Sequence, residues 1–308
     1  MPMNKIIVTT TINPPTKALI DFSVLPGWKL IVVGDLKTPH QQYSDSRYSY
    51  YTPANQEKDY PKLSGLIGWN TIQRRNLGYL KALEMGAEII ATVDDDNIPL
   101  SGWGENLLVG REVKIKSFTT DKVFDPLSVT NYSHLWHRGF PIQRLLMRNS
   151  NITTETVFVD VEASFWNGDP DIDAICRMEH GPVCEFDKDL FPFTSPQFSP
   201  FNSQNTFLTR RALKRYFLFP KVGRMDDIWA SYYLEAEGFR VAYSEASVRQ
   251  VRNMHDLTID FTAEILGYQK TDSLITALKK SPKLIKDFIG EDSHSAFQVY
   301  LKEVEKFD

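Results

Sequence analysis

Uniformly apolar runs of strand length alternate with helix-period stretches through the first third of the chain. Residues 5–10 form a short run rich in β-branched side chains that leads to the turn residues Asn13, Pro14 and Pro15, so they predict a buried strand followed by a short helix over 15–22. Residues 28–35 predict the next strand. Two apolar strands joined through a helical segment open a parallel sheet, and such sheets gather ligands at the C-terminal ends of their strands. Over 70–85 the apolar residues Ile72, Leu77, Leu80 and Leu83 fall on one helical arc, Arg74 and Arg75 lie off it, and Gly86 ends the helix. Residues 88–94 then predict a strand that runs straight into Asp94, Asp95, Asp96 and Asn97.

Elsewhere the pattern is less regular. Residues 36–62 carry five tyrosines and three prolines among polar side chains, which predicts a long loop of the kind that is usually functional or mobile. From 125 to 200 the clearest element is a short helix over 171–178. Helices follow over 209–217 and 227–237, strands over 239–243 and 248–251, and small amphipathic helices over 261–266, 274–278 and 297–304. No internal repeat is present.

Composition narrows the function classes. The 308 residues are 42% hydrophobic and 24% charged, which suits a globular core, and the formal charge of -4 comes without any basic block. That balance argues against a nucleic-acid backbone as partner and leaves a small phosphate ligand as the alternative. Cys176 and Cys184, the two cysteines, form no paired metal-binding motif. No leader-like segment or stretch of about 20 apolar residues stands out, so the expectation is a soluble cytoplasmic protein without an integral membrane segment.

Three carboxylates at the end of a buried strand raise one another's pKa, a cost that a divalent cation relieves. Mg²⁺ and Mn²⁺ take oxygen ligands and are commonly held by one or two carboxylates plus substrate phosphates. The plainer reading is an acidic turn capping the next element. Upstream, Arg74, Arg75, Asn76 and Gly78 sit on the helix that leads through Gly86 and the strand to this triplet. That arrangement resembles the nucleotide-sugar half of GT-A glycosyltransferases, which closes on an Asp-x-Asp motif. The resemblance implies that Arg74, Arg75 and Asn76 face the nucleotide, that Asp94 approaches the ribose, and that Asp96 binds the metal. A solvated helix face is the alternative for the arginines.

Longer motifs sharpen the likeness. Residues 9–16, 34–39, 138–141, 168–173 and 201–206 resemble the STELLO-type glycosyltransferases, which brings Thr9, Thr10, Asp35 and Asp95 into the nucleotide-sugar site. Residues 138–141, 170–173 and 223–229 are also similar to the reversibly glycosylated polypeptides, which include UDP-arabinopyranose mutases. There the matching arginine becomes glycosylated, a role that Arg138 inherits by resemblance. The implied architecture is an α/β, GT-A-like fold, with a Rossmann-like mixed sheet flanked by helices. It would span 1–257 as a catalytic domain (1–110 the nucleotide half, 111–257 the sugar and acceptor half), with a helical extension over 258–308.

Asp226 and Asp227 open the helix over 227–237, where the dipole favours a charged carboxylate and where this fold places the acid that deprotonates an acceptor hydroxyl. Asp227 is favoured as that residue and Asp226 is its substitute, with one of the two serving as a cap. Asp169, Asp171 and Asp173 do not make a calcium loop, because Ala174 replaces the required glycine and His180 stands at the twelfth position. The resemblance instead puts Asp171 and Asp173 near the sugar, and they can equally cap the following helix. Asn202, Gln204 and Asn205 offer amides that suit sugar hydroxyls. The resemblance places His255 as a further metal ligand, with a structural histidine as the alternative, while His134 and His137 flank the approach to Arg138 and can equally be satisfied loop histidines. Lys37 and Arg138 are secondary candidates for charge near the diphosphate.

The expected activity is Mn²⁺- or Mg²⁺-dependent transfer from a nucleoside diphosphate sugar, a UDP-sugar, to a glycan or other hydroxyl acceptor. The alternatives are a pyranose/furanose mutase and a non-catalytic scaffold. Dinucleotide binding is disfavoured, since no Gly-x-Gly-x-x-Gly follows the first strand.

Overall fold

The computed structural model describes residues 3–251 and 256–307. Four parallel strands begin the sheet, β1 (Lys5–Thr11), β2 (Trp28–Gly34), β3 (Ser49–Tyr51) and β4 (Ile89–Val93), in the spatial order β3-β2-β1-β4. Ile6, Ile7 and Val8 of β1 are fully buried, as expected of a parallel strand covered on both faces. The helices of this half are α1 (Lys17–Ser23), α2 (Pro53–Asp59), α3 (Pro61–Ile67) and α4 (Arg75–Glu84). Thr16 caps α1 by accepting from the Leu19 N–H, and Thr52 caps α2 ahead of Pro53. Helix α4 lies close on β1 and β2 because position 78 is glycine. A Cβ there would stand 2.5 Å from both Val8 and Val33.

The second half continues the same sheet. It comprises β5 (Asn97–Pro99), β6 (Glu112–Thr119), β7 (Asn151–Phe158), β8 (Val161–Gly168), β9 (Phe193–Thr194), β10 (Asn205–Thr209) and β11 (Val241–Gln250). Strand β10 runs antiparallel between β4 and β8 and so joins the halves. Beyond it β8 pairs in parallel with β11, and β9, β6 and β7 complete the path, with β5 set against the end of β11. The helices are α5 (Ala174–His180), α6 (Arg210–Leu213), α7 (Asp226–Ala236), α8 (Leu257–Leu278) and α9 (Lys286–Val304). The architecture is therefore a mixed α/β sheet flanked by helices with a helical C-terminal extension. No helix among the described residues is long and apolar enough to cross a membrane.

Several expectations change. Residues 36–62 are not a loose loop, since β3 and α2 lie within them and Tyr43, Tyr48, Tyr51 and Tyr60 are buried. The rings of Tyr43 and Tyr50 stack at 4.9 Å, so the tyrosines form an apolar layer over the sheet edge. The strands expected over 239–243 and 248–251 are one strand with an irregularity between Ser244 and Val248, and the helix over 209–217 shrinks to the four residues of α6. The small helices expected at 261–266 and 274–278 are continuous in α8. Strands β6 and β7 escaped notice because β7 presents mostly threonine, asparagine and glutamate to solvent, leaving little apolar alternation to read.

Candidate functional site

The C-terminal ends of β1, β2 and β4 open onto a cavity of about 280 Å³. Thr10 and Thr11 form its floor, Asp35 follows β2, and the segment Asn70, Thr71 and Ile72 makes one wall. The acidic triplet makes the other. A second cavity of about 420 Å³ lies alongside and shares Ile72, Asp94 and Asp96 with the first. It extends to Asp226, Arg138, Arg224 and Gln250.

Each member of the triplet has a distinct environment. Asp94 accepts from the Arg75 guanidinium at 2.6 Å, and Arg75 in turn donates to the Ser203 carbonyl at 2.8 Å, tying β4 to the segment before β10. Burial pushes the Asp94 carboxyl up and the Arg75 charge opposes it. Asp95 turns toward the segment after β1, accepting from the Thr11 hydroxyl and from the Asn13 amide at 3.0 Å. Asp96 borders both cavities. Asp35 accepts from the backbone N–H groups of Asn70 (2.9 Å) and Thr71 (3.0 Å), which fixes the wall segment with Asn70 at a φ of 56°.

The adjacent acids of α7 have different surroundings. Both Asp227 oxygens receive Arg138, at 2.9 and 3.0 Å, and Oδ2 also accepts from the Ser203 N–H at 2.9 Å. Arg138 completes its fork on Asp171 at 2.8 Å and on the Arg224 carbonyl. This buried bidentate arrangement is the geometry for which a guanidinium is suited. Asp226 accepts from the Gln73 amide at 2.6 Å. Its carboxyl is pushed up to about 7, first by burial and then by the negative charge of Asp227, with Arg138 and Gln73 opposing.

Of the remaining residues singled out in the sequence, Gln204 lines the second cavity, and several others are buried as supports. Arg74 is fully buried rather than on a solvated face. It donates to Gln56 (2.9 and 2.6 Å), Ser64 and Gly68 and stacks on Trp69 at 3.5 Å, so it braces α2 and α3 against the start of α4. Burial lowers its guanidinium to about 10. Asn76 makes two 2.9 Å bonds with the backbone of Leu218, and Thr9 is a buried strand residue. Asp171 holds Arg138 and Asn202, while Asp173 caps α5 and accepts from the Trp136 indole. Asn205 donates to the Phe165 carbonyl at 2.9 Å and accepts from Trp103 at 3.0 Å. Lys37 and His134 are exposed, and His137 is buried against the Arg138 carbonyl. His255 lies outside the described residues. Sequence reasoning passed over the segment 70–73, Ser203, Arg224 and Gln250. The helix expected over 70–85 begins only at Arg75, and the available signal at 70–73 was the polar start of that stretch at the mouth of a parallel sheet.

Among the described residues no three histidine, cysteine or acidic side chains converge as a ready-made metal cage. The donors between the cavities, Asp94 and Asp96, are hard oxygens, a donor type that Mg²⁺ or Mn²⁺ accepts.

No protein-family model matches the chain. Over 251 residues it is 25% identical to the probable glycosyltransferase STELLO1 of Arabidopsis thaliana, an alignment that takes in 74% of this chain and 32% of that protein. STELLO2 of the same plant matches at 25% identity, with 33% of its length covered. The chain thus spans about a third of the length of these curated relatives. Among solved structures, glucosyl-3-phosphoglycerate synthase from Mycobacterium tuberculosis, bound to Mn²⁺, uridine diphosphate and phosphoglyceric acid, aligns over 90% of this chain and 78% of its own. The TM-score is 0.44 and the identity 13%. The mannosyltransferase PcManGT from Pyrobaculum calidifontis, with GDP-Man and Mn²⁺, aligns over 98% and 86% at a TM-score of 0.36 and 10% identity.

Proposed function

We propose that the paired cavities bind a nucleoside diphosphate sugar, a UDP-sugar, and transfer its glycosyl group to a hydroxyl acceptor. The observation that carries this reading is the continuity of the two cavities through Asp94 and Asp96 at the strand ends. The first suits a nucleotide, with threonine hydroxyls and Asp35 at its floor, and the second suits a sugar and its acceptor. The likeness to relatives named as probable glycosyltransferases points the same way. Asp94 and Asp96 would hold Mn²⁺ or Mg²⁺, which supplies positive charge against the diphosphate. Arg75 is already paired with Asp94, so we assign it to holding that carboxylate rather than to clamping phosphate.

Asp226 is the residue we assign as general base, in place of Asp227, whose oxygens are both engaged by Arg138. In an inverting transfer the acceptor O–H gives its proton to the Asp226 carboxylate as its oxygen bonds the anomeric carbon. The bond from that carbon to the diphosphate oxygen breaks, and its electron pair leaves with the nucleotide. Arg138 we assign to positioning Asp227 and Asp171. Its guanidinium is held protonated among two carboxylates, which leaves no lone pair to become glycosylated. Labelled UDP-sugar separates the ring-form mutase from transfer, because only transfer or hydrolysis releases UDP.

Isothermal titration of the chain with UDP tests the reading. Affinity should fall at least about tenfold when Mn²⁺ is replaced by chelator, and Asp96→Asn should show the same loss with Mn²⁺ present. Binding that ignores the metal, or no binding at all, would overturn the reading.

A further inference from the structure

One stretch of chain lines both cavities beside the shared Asp94 and Asp96. Asn70, Thr71 and Ile72 line the nucleotide side, and Ile72 and Gln73 line the other. Asp35 fixes the backbone of this wall through the N–H groups of Asn70 and Thr71. Gln73 is buried within it, and both ends of its amide are engaged. The Thr71 hydroxyl donates to Oε1, and Nε2 donates to Asp226 Oδ2 at 2.6 Å.

An amide presents a donor at one end and an acceptor at the other, so the two bonds are not independent. While the Thr71 hydroxyl points at Oε1, the nitrogen must face Asp226, and an ionised carboxylate is the acceptor that satisfies it. If the amide turns over, its oxygen faces Asp226 and asks for a protonated carboxyl, while its nitrogen faces Thr71 and frees that hydroxyl to donate into the nucleotide cavity. A buried donor or acceptor left unsatisfied is costly, so the group at one end constrains the group at the other.

We propose that Gln73 is a positioning residue that holds the Asp226 carboxylate toward the second cavity and, through Thr71, links its charge to the wall of the nucleotide cavity. The inference rests on Asp226 being the base. Its charge also interacts with Asp227 beside it on α7, with Arg138 and with the Tyr216 hydroxyl, while Arg224 in the turn before α7, Asp94 and Asp96 line the same cavity. Gln73 is the neutral side chain hydrogen-bonded to Asp226, and its removal leaves every one of those charges in place.

The test follows the carboxyl carbon of Asp226 by ¹³C NMR across pH, assigned with Asp226→Asn, in the wild-type chain, Gln73→Met and Thr71→Val. Loss of a donor to the charged form should raise the Asp226 midpoint by about 1 in Gln73→Met, and by less in Thr71→Val, where the amide survives without its anchor. With Mn²⁺ and a UDP-sugar, the acidic limb of UDP release should move up by the same amount. The kcat deficit at pH 7 should then vanish by about pH 9, with KM for the nucleotide sugar unchanged. A midpoint that does not move in Gln73→Met overturns the proposal, as does a kcat loss equal at every pH. A midpoint that moves in a chain with no turnover upholds the link between Gln73 and Asp226 and overturns the transferase reading instead.

Discussion

Asp226 and Asp227 are neighbours in sequence with opposite requirements. Asp227 neutralises Arg138 inside the protein, and removing one partner of a buried ion pair leaves an uncompensated charge costing about 3–5 kcal/mol. Asp227→Asn should therefore lower the unfolding free energy by about 3 kcal/mol in a urea titration. Asp226→Asn should leave the fold intact and reduce transfer by roughly 10²–10⁴-fold, read as UDP release. If instead Asp226→Asn unfolds the chain and Asp227→Asn only slows it, the roles are reversed. Both acids line the second cavity, and the sequence located the pair at the start of its helix but not which member Arg138 locks, since that depends on where Arg138 and Gln73 arrive from distant segments. The same limit applies to Arg74 and Arg75. Adjacent helical residues point about 100° apart, so one enters the cage beneath α2 and α3 and the other reaches Asp94.

At the scale of elements, two glycines make opposite predictions. Gly78 lets α4 press against β1 and β2, whose ends carry Thr10 and Asp35. Gly78→Ala would drive a methyl into Val8 and Val33, and the overpacking costs about 1–3 kcal/mol against the roughly 1 kcal/mol that alanine adds to a helix. Gly65 of α3 has nothing within 4 Å of a built Cβ, so Gly65→Ala should stabilise by about 0.5–1 kcal/mol. Chemical denaturation of the two variants checks both signs. Elements were legible where burial is uniform, as in β1, β2, β4 and α7. They were not where one side faces water, as in β7, or where tyrosines do the packing, as around β3. A tyrosine reads as polar or apolar depending on whether its ring finds a partner, and Tyr43 finds Tyr50 only once the chain has folded.

Over the whole molecule, burial leaves several acids less willing to ionise than in the unfolded chain. Asp226 and Asp173 are both raised to about 7, each chiefly by desolvation. A carboxyl whose folded pKa is raised holds its proton more tightly in the native state. Its stabilising contribution is complete below about pH 4, the unfolded value, and is lost as pH rises through about 7. The chain should thus melt at a higher temperature near pH 6 than near pH 8 without ligand, and Asp226→Asn, which does not titrate, should flatten that slope. A Tm that climbs with pH over this interval would contradict the burial of these acids. Turnover should run the other way, since a base must be ionised, so stability and activity pull apart across neutral pH.

Strand β10 runs against both of its neighbours and stitches the nucleotide side of the sheet to the rest. A fragment ending at residue 110 would strip β4 of that partner. It would bare the backbone of Ile89–Val93, five residues buried in the intact chain, as an adhesive edge for any other extended strand. The seam that brings Ser203 and Gln204 to the cavities therefore also protects the chain from self-association. A truncation made to isolate the nucleotide side would be expected to yield aggregates rather than a smaller binding protein.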